Sequence, residues 1–538
     1  MPRAWVPLAL GAALCLGAYL GRGLRSGTSA WEMMEPRFLP SGQVLGSVLD
    51  RIDRMYVDPV DRNRLTDIAI DAILDELDPH SDWFSAEELA AMAEPMEGNF
   101  EGIGVEFLLQ EDTIMVVTPI PGGPSEAAGI RSGDRIVTVD DSTIAGTGLT
   151  NTKVMRLLKG PSGTPVGLGL MRPGSADTTL IEVTLTRGRI PIHSVVCAEL
   201  MPDRVGYIKV VRFARNTDEE FDASLLDLRE RGAERFVLDL RGNGGGYLHS
   251  AVPMVERFLD EGDLVVYTEG AAQPRREYIT ERAGRDRSIP LVVMVDEGSA
   301  SASEILAGAL QDHDRAVVVG RRTFGKGLVQ EEFPVADRGA LRLTVARYYT
   351  PSGRSIQRPY GAGVDYEEEW LLRQERGEYV EADSVLQVDS LAYLTEAGRT
   401  VYGGGGIAPD VFVPLDTGSF PVSFRELVYA GRVREHAFTL GTAQREAFLA
   451  LGTVADFLDA VDAGLDLGVD ALLDESYRPD EERVRSRMLM RQRVAERIAH
   501  NLWGESAGHR AALCADSEWR AALAAFDELD TLLTPLAN

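Results

Sequence analysis

Leu291-Val292-Val293-Met294-Val295-Asp296-Glu297-Gly298-Ser299-Ala300-Ser301-Ala302-Ser303-Glu304-Ile305 changes its character twice. Leu291–Val295 is an unbroken aliphatic run, which predicts a strand buried on both faces, as in a parallel sheet. Small residues then crowd a turn, and a helix is expected over 302–313. Ser301 followed three residues later by Glu304 has the form of a capping box. This places the Ser301 hydroxyl at a helix N-terminus, where exposed N–H groups and the helix dipole favour a developing anion. Taken alone, the same serine could be a plain cap, and Ser299 and Ser303 compete with it.

Outward from this stretch the same alternation continues. Short aliphatic runs at Val205–Val210, Phe236–Leu240 and Ala316–Val319 are separated by helix-like stretches 217–231 and 248–260. Buried strands alternating with helices make an α/β layer arrangement. Upstream, the runs Gly104–Leu109, Ile114–Pro119, Arg135–Val139, Val166–Met171 and Ile181–Thr186 alternate with Gly/Pro turns and predict a β-rich segment. Residues 41–95 read as helical from Val44, Leu45, Val48, Ile52 and Met55, then Ile68, Ala72, Ile73 and Leu77. The signal is helical again after about 416, with Val484, Met488, Ala495, Ile498 and Leu502 on one apolar face.

Composition narrows the chemistry. The 538 residues carry 55 Lys+Arg against 84 Asp+Glu, a net charge of −29, so nucleic acid is a poor partner. The three cysteines, without CxxC spacing or a Cys/His cluster, predict neither a disulfide framework nor a zinc site. Lysine stands only at 153, 159, 209 and 326; every other basic residue is arginine. Arginine cannot lose its proton in a protein, whereas lysine can. Lys326 lies in Thr323-Phe324-Gly325-Lys326-Gly327-Leu328-Val329-Gln330, between glycines and beside apolar residues. Burial disfavours an ammonium, and a neutral amine can take a proton from a serine hydroxyl. Serine with lysine is a known form of the activated nucleophile.

Gly102-Ile103-Gly104-Val105 alternates glycine with apolar residues. Such a pattern lets N–H groups converge on a carboxylate, and the strand that follows can accept a peptide as an added strand. With Gly123–Ile130 and Gly133–Asp140 behind it, the segment 98–187 resembles a PDZ domain of the bacterial protease type. Asn151–Leu158 is then the helix flanking the peptide groove.

Residues of about 41–415 resemble the carboxyl-terminal processing peptidases, or tail-specific proteases. The likeness rests on the PDZ residues, Asp239–Gly246, Gly298–Ile305, Thr323–Gln330, Tyr348–Gly353 and Gly404–Asp410, all in one order. It implies a serine endopeptidase with a Ser–Lys dyad on a crotonase-like core, with no cofactor or metal. The family nucleophile falls on Ser301 and the base on Lys326, with Gln330 similar to the residue that orients it. The oxyanion hole would use the N–H of Ala302 and a second N–H from the glycine loop, Gly245 ahead of Gly246. Many relatives have proline where Gly244 stands. The PDZ residues Gly102, Ile103, Gly104 and Val105 would bind the C-terminus of a protein substrate.

The expected fold is therefore multidomain α+β. Its parts are a signal or membrane anchor (1–30), an N-terminal helical region (41–97), a PDZ-like domain (98–187), a Ser–Lys protease core (188–415) and a helical extension (416–538). The apolar run Ala4–Leu20 after Arg3 predicts export and, ahead of a cleaved signal, an uncleaved anchor in the inner (cytoplasmic) membrane, with the rest periplasmic or extracytoplasmic. The extension is open to three roles: covering the active site, oligomer formation or adaptor binding. Two other readings share the fold class: a catalytically silent PDZ-bearing scaffold and a crotonase-like acyl enzyme. His313 makes a poor base, because no G-x-S-x-G elbow is present. Gly242–Gly246 is not a dinucleotide loop, because Tyr247 replaces the third glycine. Asp312 is expected to act structurally at a helix end, and Glu367–Glu369 to lie in a loop.

Overall fold

The computed structural model describes residues 41–172, 180–335, 338–361, 366, 368–384, 389–415, 421–474 and 480–533. The Ala4–Leu20 segment lies outside them. Among the described residues no helix is long and apolar enough to cross a membrane. The chain divides after Leu74. The first unit contains helices Ser41–Met55 and Arg62–Leu74, joined by the Arg62–Asp50 ion pair at 2.6 Å. Its apolar residues Val44, Leu45, Val48 and Met55 are exposed.

In the second unit the core is a six-stranded sheet in the order Val195–Met201, Val205–Val210, Arg235–Asp239, Leu291–Val295, Val317–Gly320, Val411–Phe412. The first pair is antiparallel and the rest are parallel. Helices Thr217–Glu230, Leu248–Glu256 and Ala302–Asp312 share one core cluster with this sheet, through Phe221, Leu225, Met254, Leu306 and Leu310. A parallel sheet needs both faces covered. Here the helical extension supplies the other cover. Leu513, Trp519, Ala522 and Ala525 join Tyr207, Val237, Val292, Met294, Val317 and Val319 in a second cluster. Arg241 pairs with Asp516 at 2.7 Å, and Arg241 and Arg321 both pair with Glu518.

The β-rich segment is a sheet in the order Val105–Gln110, Thr113–Pro119, Arg135–Val139, Pro165–Met171, Ile181–Thr186, within a residue of the expected strands. Asn151–Leu158 is helical as expected, and its Val154 and Leu158 close the segment's core. A third sheet joins Asp82–Ser85, Gly339–Tyr349, Leu264–Glu269 and Arg276–Ile279, with Leu328–Val335 also paired to Gly339–Tyr349.

Three expectations need correction. Residues 41–95 are not helical throughout: Asp78 precedes Pro79, which disfavours helix at Asp78, and Asp82–Ser85 is a strand. The apolar face read along 484–502 is buried only in its later turns. In helix Asp480–Trp503, Val484 is 72% exposed, whereas Ala495 and Ile498 are buried. Glu369 opens the helix Glu369–Glu375 rather than lying in a loop.

Candidate active site

Ser301 sits where strand Leu291–Val295 has ended and helix Ala302–Asp312 begins. The turn between them is fastened to the neighbouring strand's loop. Asn243 is the fastener: its carbonyl accepts from Ala300 N–H and Ser303 Oγ, both at 2.9 Å, and its side-chain amide donates to Val210 O at 3.0 Å. Ser299 Oγ donates to Leu240 O at 2.8 Å. Ser299 and Ser303 are thus 0% exposed, with their hydroxyls committed to this loop, while Ser301 between them is half-buried. Ser301 has φ 56° and ψ −114°, a conformation rare for a residue with a side chain and one typical of functional turns. Ala302 opens the helix, so its N–H belongs to the first turn, which lacks intrahelical acceptors.

Gly245 lies against this junction. A Cβ there would sit 2.7 Å from Ser301 Cβ and 3.0 Å from Ala302 N, so only glycine lets the loop approach. The Gly245 N–H donates to Asn243 Oδ1 at 2.9 Å, which ties it into the loop's own bonding. Gly246 is exposed beside it.

Lys326 enters from the loop between strands Val317–Gly320 and Leu328–Val335. Its flanking glycines are required by packing: a Cβ on Gly327 would lie 2.9 Å from Gln357 N. Two buried groups bind the Lys326 backbone to that of Ser301. The Glu304 carboxylate accepts from Ser301 N–H at 2.8 Å and Lys326 N–H at 2.9 Å, and also from Gly325 N–H and Thr323 Oγ1. The Tyr348 hydroxyl, in a residue only 1% exposed, shares its one proton between Lys326 O at 2.7 Å and Ser301 O at 3.1 Å. Burial pushes the Glu304 carboxyl up to about 7, against the pull of its donors.

The Lys326 amine donates to Gln330 Oε1 at 2.9 Å. Burial, then the charge of Arg342, holds its pKa below the ordinary 10.5, against Asp78 and Glu304. Lys209, a buried lysine, differs in its partner: its amine donates to the Asp239 carboxylate at 3.0 Å. Gln330 Nε2 donates in turn to His80 O. The His80 ring bonds to Tyr366 Oη at 2.9 Å, and burial, then Lys326, holds its pKa at about 4, so it adds no charge beside the amine.

Sequence reasoning passed over Asn243, Tyr348, His80 and Asp78. The Asp-Pro dipeptide at 78–79, a turn signal, was the available clue to the last two. His313 is engaged elsewhere, by Glu396 at 3.1 Å and Leu264 O at 2.8 Å. Asp312 acts structurally, accepting from Arg354 at 2.7 Å and Ser352 N–H at 3.0 Å. Among the described residues no group of His, Cys, Asp and Glu could hold a metal ion.

At the second predicted site Gly102, Ile103 and Gly104 are buried and Val105 is half-buried. Gly104 has φ +76°, which favours glycine. Ile103 O accepts from Ser125 N–H at 3.0 Å and Ser125 Oγ at 2.7 Å, while Gly102 bridges to Lys159 at the end of helix Asn151–Leu158. Val105–Gln110 is the edge of its sheet. Two of its side chains reach the helical extension: Glu106 to His500 Nε2 at 3.0 Å and Gln110 to Glu435 at 3.3 Å.

Residues 204–369 match Peptidase family S41, and residues 102–185 match the PDZ domain. The chain is 37% identical over 325 residues to the carboxy-terminal-processing protease of Bartonella bacilliformis, covering 59% of this chain and 72% of that protein. It is 31% identical over 354 residues to the carboxy-terminal processing protease CtpB of Bacillus subtilis, covering 63% and 73%. Among solved structures, the photosystem II D1 C-terminal processing protease is 30% identical, with a TM-score of 0.35, covering 71% of this chain and 95% of that one.

Proposed function

The chain belongs to peptidase family S41 as a carboxy-terminal processing protease, a serine endopeptidase carrying a PDZ domain, and from that premise we propose that it cleaves with a Ser301–Lys326 dyad. Ser301 Oγ attacks the peptide carbonyl carbon while its proton passes to the neutral Lys326 amine. Gln330 Oε1 fixes that amine on its line of approach. The oxyanion takes the Ala302 N–H and one amide of the 244–246 loop, with Gly246 ahead of Gly245 because Gly245 donates to Asn243. Each such donor is worth about 3 kcal/mol of barrier. The lysine ammonium then protonates the departing amine. Water, deprotonated by the same lysine, hydrolyses the acyl-enzyme. None of these steps requires a cofactor.

The observation that carries this reading is the half-buried Lys326 amine on an uncharged acceptor, with its backbone tied to that of Ser301 through Glu304 and Tyr348. Digestion of casein by the parent, Ser301→Ala and Lys326→Ala tests it. Both variants should lose about 10³-fold or more in kcat. Casein cleavage by Lys326→Ala at the parent rate would remove lysine from the mechanism.

The PDZ domain would take the substrate's C-terminal carboxylate on the N–H groups of Gly102–Val105, with the chain added along the edge strand Val105–Gln110. Support comes from the glycine at positive φ and the edge position of the strand. We place the enzyme outside the cytoplasm, tethered to the inner membrane through Ala4–Leu20; the support is the apolar run itself. Cell fractionation of the full chain beside one lacking residues 4–20 tests that placement.

A further inference from the structure

Gln330 can hold Lys326 in only one of its two amide orientations. With Oε1 toward the lysine it accepts and leaves the amine's lone pair free; flipped, its NH2 group would face the ammonium donor to donor, or occupy the lone pair with which the neutral amine takes a proton. What the far side of the amide touches decides between the two. That contact is the main-chain carbonyl of His80, which lies 250 positions away in sequence and accepts from Gln330 Nε2.

The position of this carbonyl is set by one carboxylate. Asp78 is 8% exposed. Its Oδ1 accepts from His80 N–H at 2.9 Å, Ser81 N–H at 3.0 Å and Thr344 Oγ1 at 2.9 Å, and its Oδ2 accepts from Ser81 Oγ at 2.6 Å. Ser81 Oγ accepts in turn from Thr344 N–H at 3.1 Å. Thr344 is the cross-strand partner of Gln330 itself, beside the irregularity at Val329/Gln330. One end of the Asp78–Ser81 turn is therefore fixed to the strand opposite Gln330, and the turn's carbonyl closes on the Gln330 amide.

We propose that Asp78 is a positioning residue for the catalytic base: its carboxylate holds the 78–81 turn so that His80 O locks Gln330 with Oε1 toward the Lys326 amine. The inference rests on Lys326 being the base, as proposed above. Asp78 touches neither the substrate nor the reacting atoms. Its effect passes through Gln330, and this sets it apart from a residue that merely stabilises the sheet.

A double-mutant cycle on the full chain tests this, with peptide-hydrolysis kinetics for the parent, Asp78→Ala, Gln330→Ala and the double variant, and Lys326→Ala as a control. Asp78→Ala should lower kcat about 10-fold with KM within about 2-fold, less than the roughly 100-fold of a 1 Å misplacement because the lysine itself stays in place. In the Gln330→Ala background it should cost less than about 2-fold more, because both changes remove one interaction. The acidic limb of the kcat profile should move to lower pH, since a positioned acceptor and a nearby anion that favour the ammonium are lost together. Asp78→Asn, which keeps Oδ1, should recover most of the activity. If Asp78→Ala does not fold, Ser81→Ala replaces it in the same cycle, with a smaller loss and the same non-additivity. Losses that multiply in full, or that fall on KM, would overturn the inference while leaving the dyad intact. Activity retained by Lys326→Ala would overturn the dyad itself, a separate result.

Discussion

The Ser301–Lys326 junction and the edge strand Val105–Gln110 are fastened in opposite ways. At the junction the fasteners are buried and multivalent: one carboxylate, Glu304, receives four donors, and one hydroxyl, Tyr348, serves two carbonyls. Along the edge strand the fasteners to the helical extension are single and wet: Glu106 meets His500 with its own side chain 49% exposed, and Gln110 meets Glu435 at the surface. Leaving a buried polar group unpaired costs about 1–3 kcal/mol, whereas an exposed pair is worth about 0–1 kcal/mol. The groups proposed to react are thus held by bonds that are costly to lose. The strand assigned to the substrate's tail is covered by bonds that can be exchanged cheaply.

The sharpest way to break this contrast is Glu304→Gln. Its NH2 group would face N–H donors on one side, leaving backbone groups of the Ser301–Lys326 junction unpaired. Activity should fall about 100-fold, since a small misplacement costs that much, and stability should fall by about 1–3 kcal/mol. Unchanged kcat in a folded variant would show that the junction does not depend on the carboxylate. Tyr348→Phe removes one donor and keeps the ring. A loss of about 1–2 kcal/mol in denaturant unfolding and of about 10-fold in kcat is expected.

His500→Ala should act least on stability and not on the chemical step. Peptide binding at the edge strand, followed by fluorescence anisotropy, should tighten by up to a few-fold, which is the worth of one exposed pair. Weaker binding would mean that the helices assist the strand rather than cover it. The pair also has a pH signature. Hydrogen bonding to Glu106 raises His500 above its ordinary 6.5, with Glu505 adding and burial and Arg497 opposing. The same bond lowers Glu106 below 4.5, with Arg497 and Arg434 assisting. The His500 contribution is complete below pH 6.5 and fades as pH rises through the raised value; the Glu106 contribution is complete above pH 4.5 and fades as pH falls through the lowered value. Thermal unfolding of parent and His500→Ala should therefore differ most between about pH 4.5 and 6.5.

The same contrast separates what the sequence disclosed from what it did not. Core strands such as Leu291–Val295 and Val205–Val210 were legible because burial on both faces forces aliphatic runs. Ser301 and Lys326 were legible because small residues and glycines must surround them. The fasteners were not. Glu304 read only as a helix cap, because its other donors, Thr323, Gly325 and Lys326, lie about twenty residues away and belong to a different element. Tyr348 was named only within the segment Tyr348–Gly353, which says nothing of where its hydroxyl goes. Asp78 lay in a window whose apolar spacing suggested helix, and its partner Thr344 is 266 positions distant. Residues 421–533 disclosed helices but not their target, because the periodicity along 484–502 includes Val484 and Met488, which face solvent. In the second glycine loop, Gly245 and Gly246 were both named as oxyanion donors, and the bond from Gly245 N–H to Asn243, set by loop register rather than composition, was not legible.

A neutral amine at position 326 is tested most directly by the pH dependence of Ser301 acylation. A fluorophosphonate probe would be incorporated into the parent and into Lys326→Arg from about pH 5 to pH 10, with the labelled residue identified by peptide mass. The chain is rich in arginine, and arginine keeps the charge and much of the reach but cannot give up its proton. The parent should label at Ser301 with a rate that rises through one ionisation lying below 10.5, and the arginine variant should stay unlabelled throughout. Labelling of Lys326→Arg at the parent rate and with the parent's pH profile would contradict the dyad.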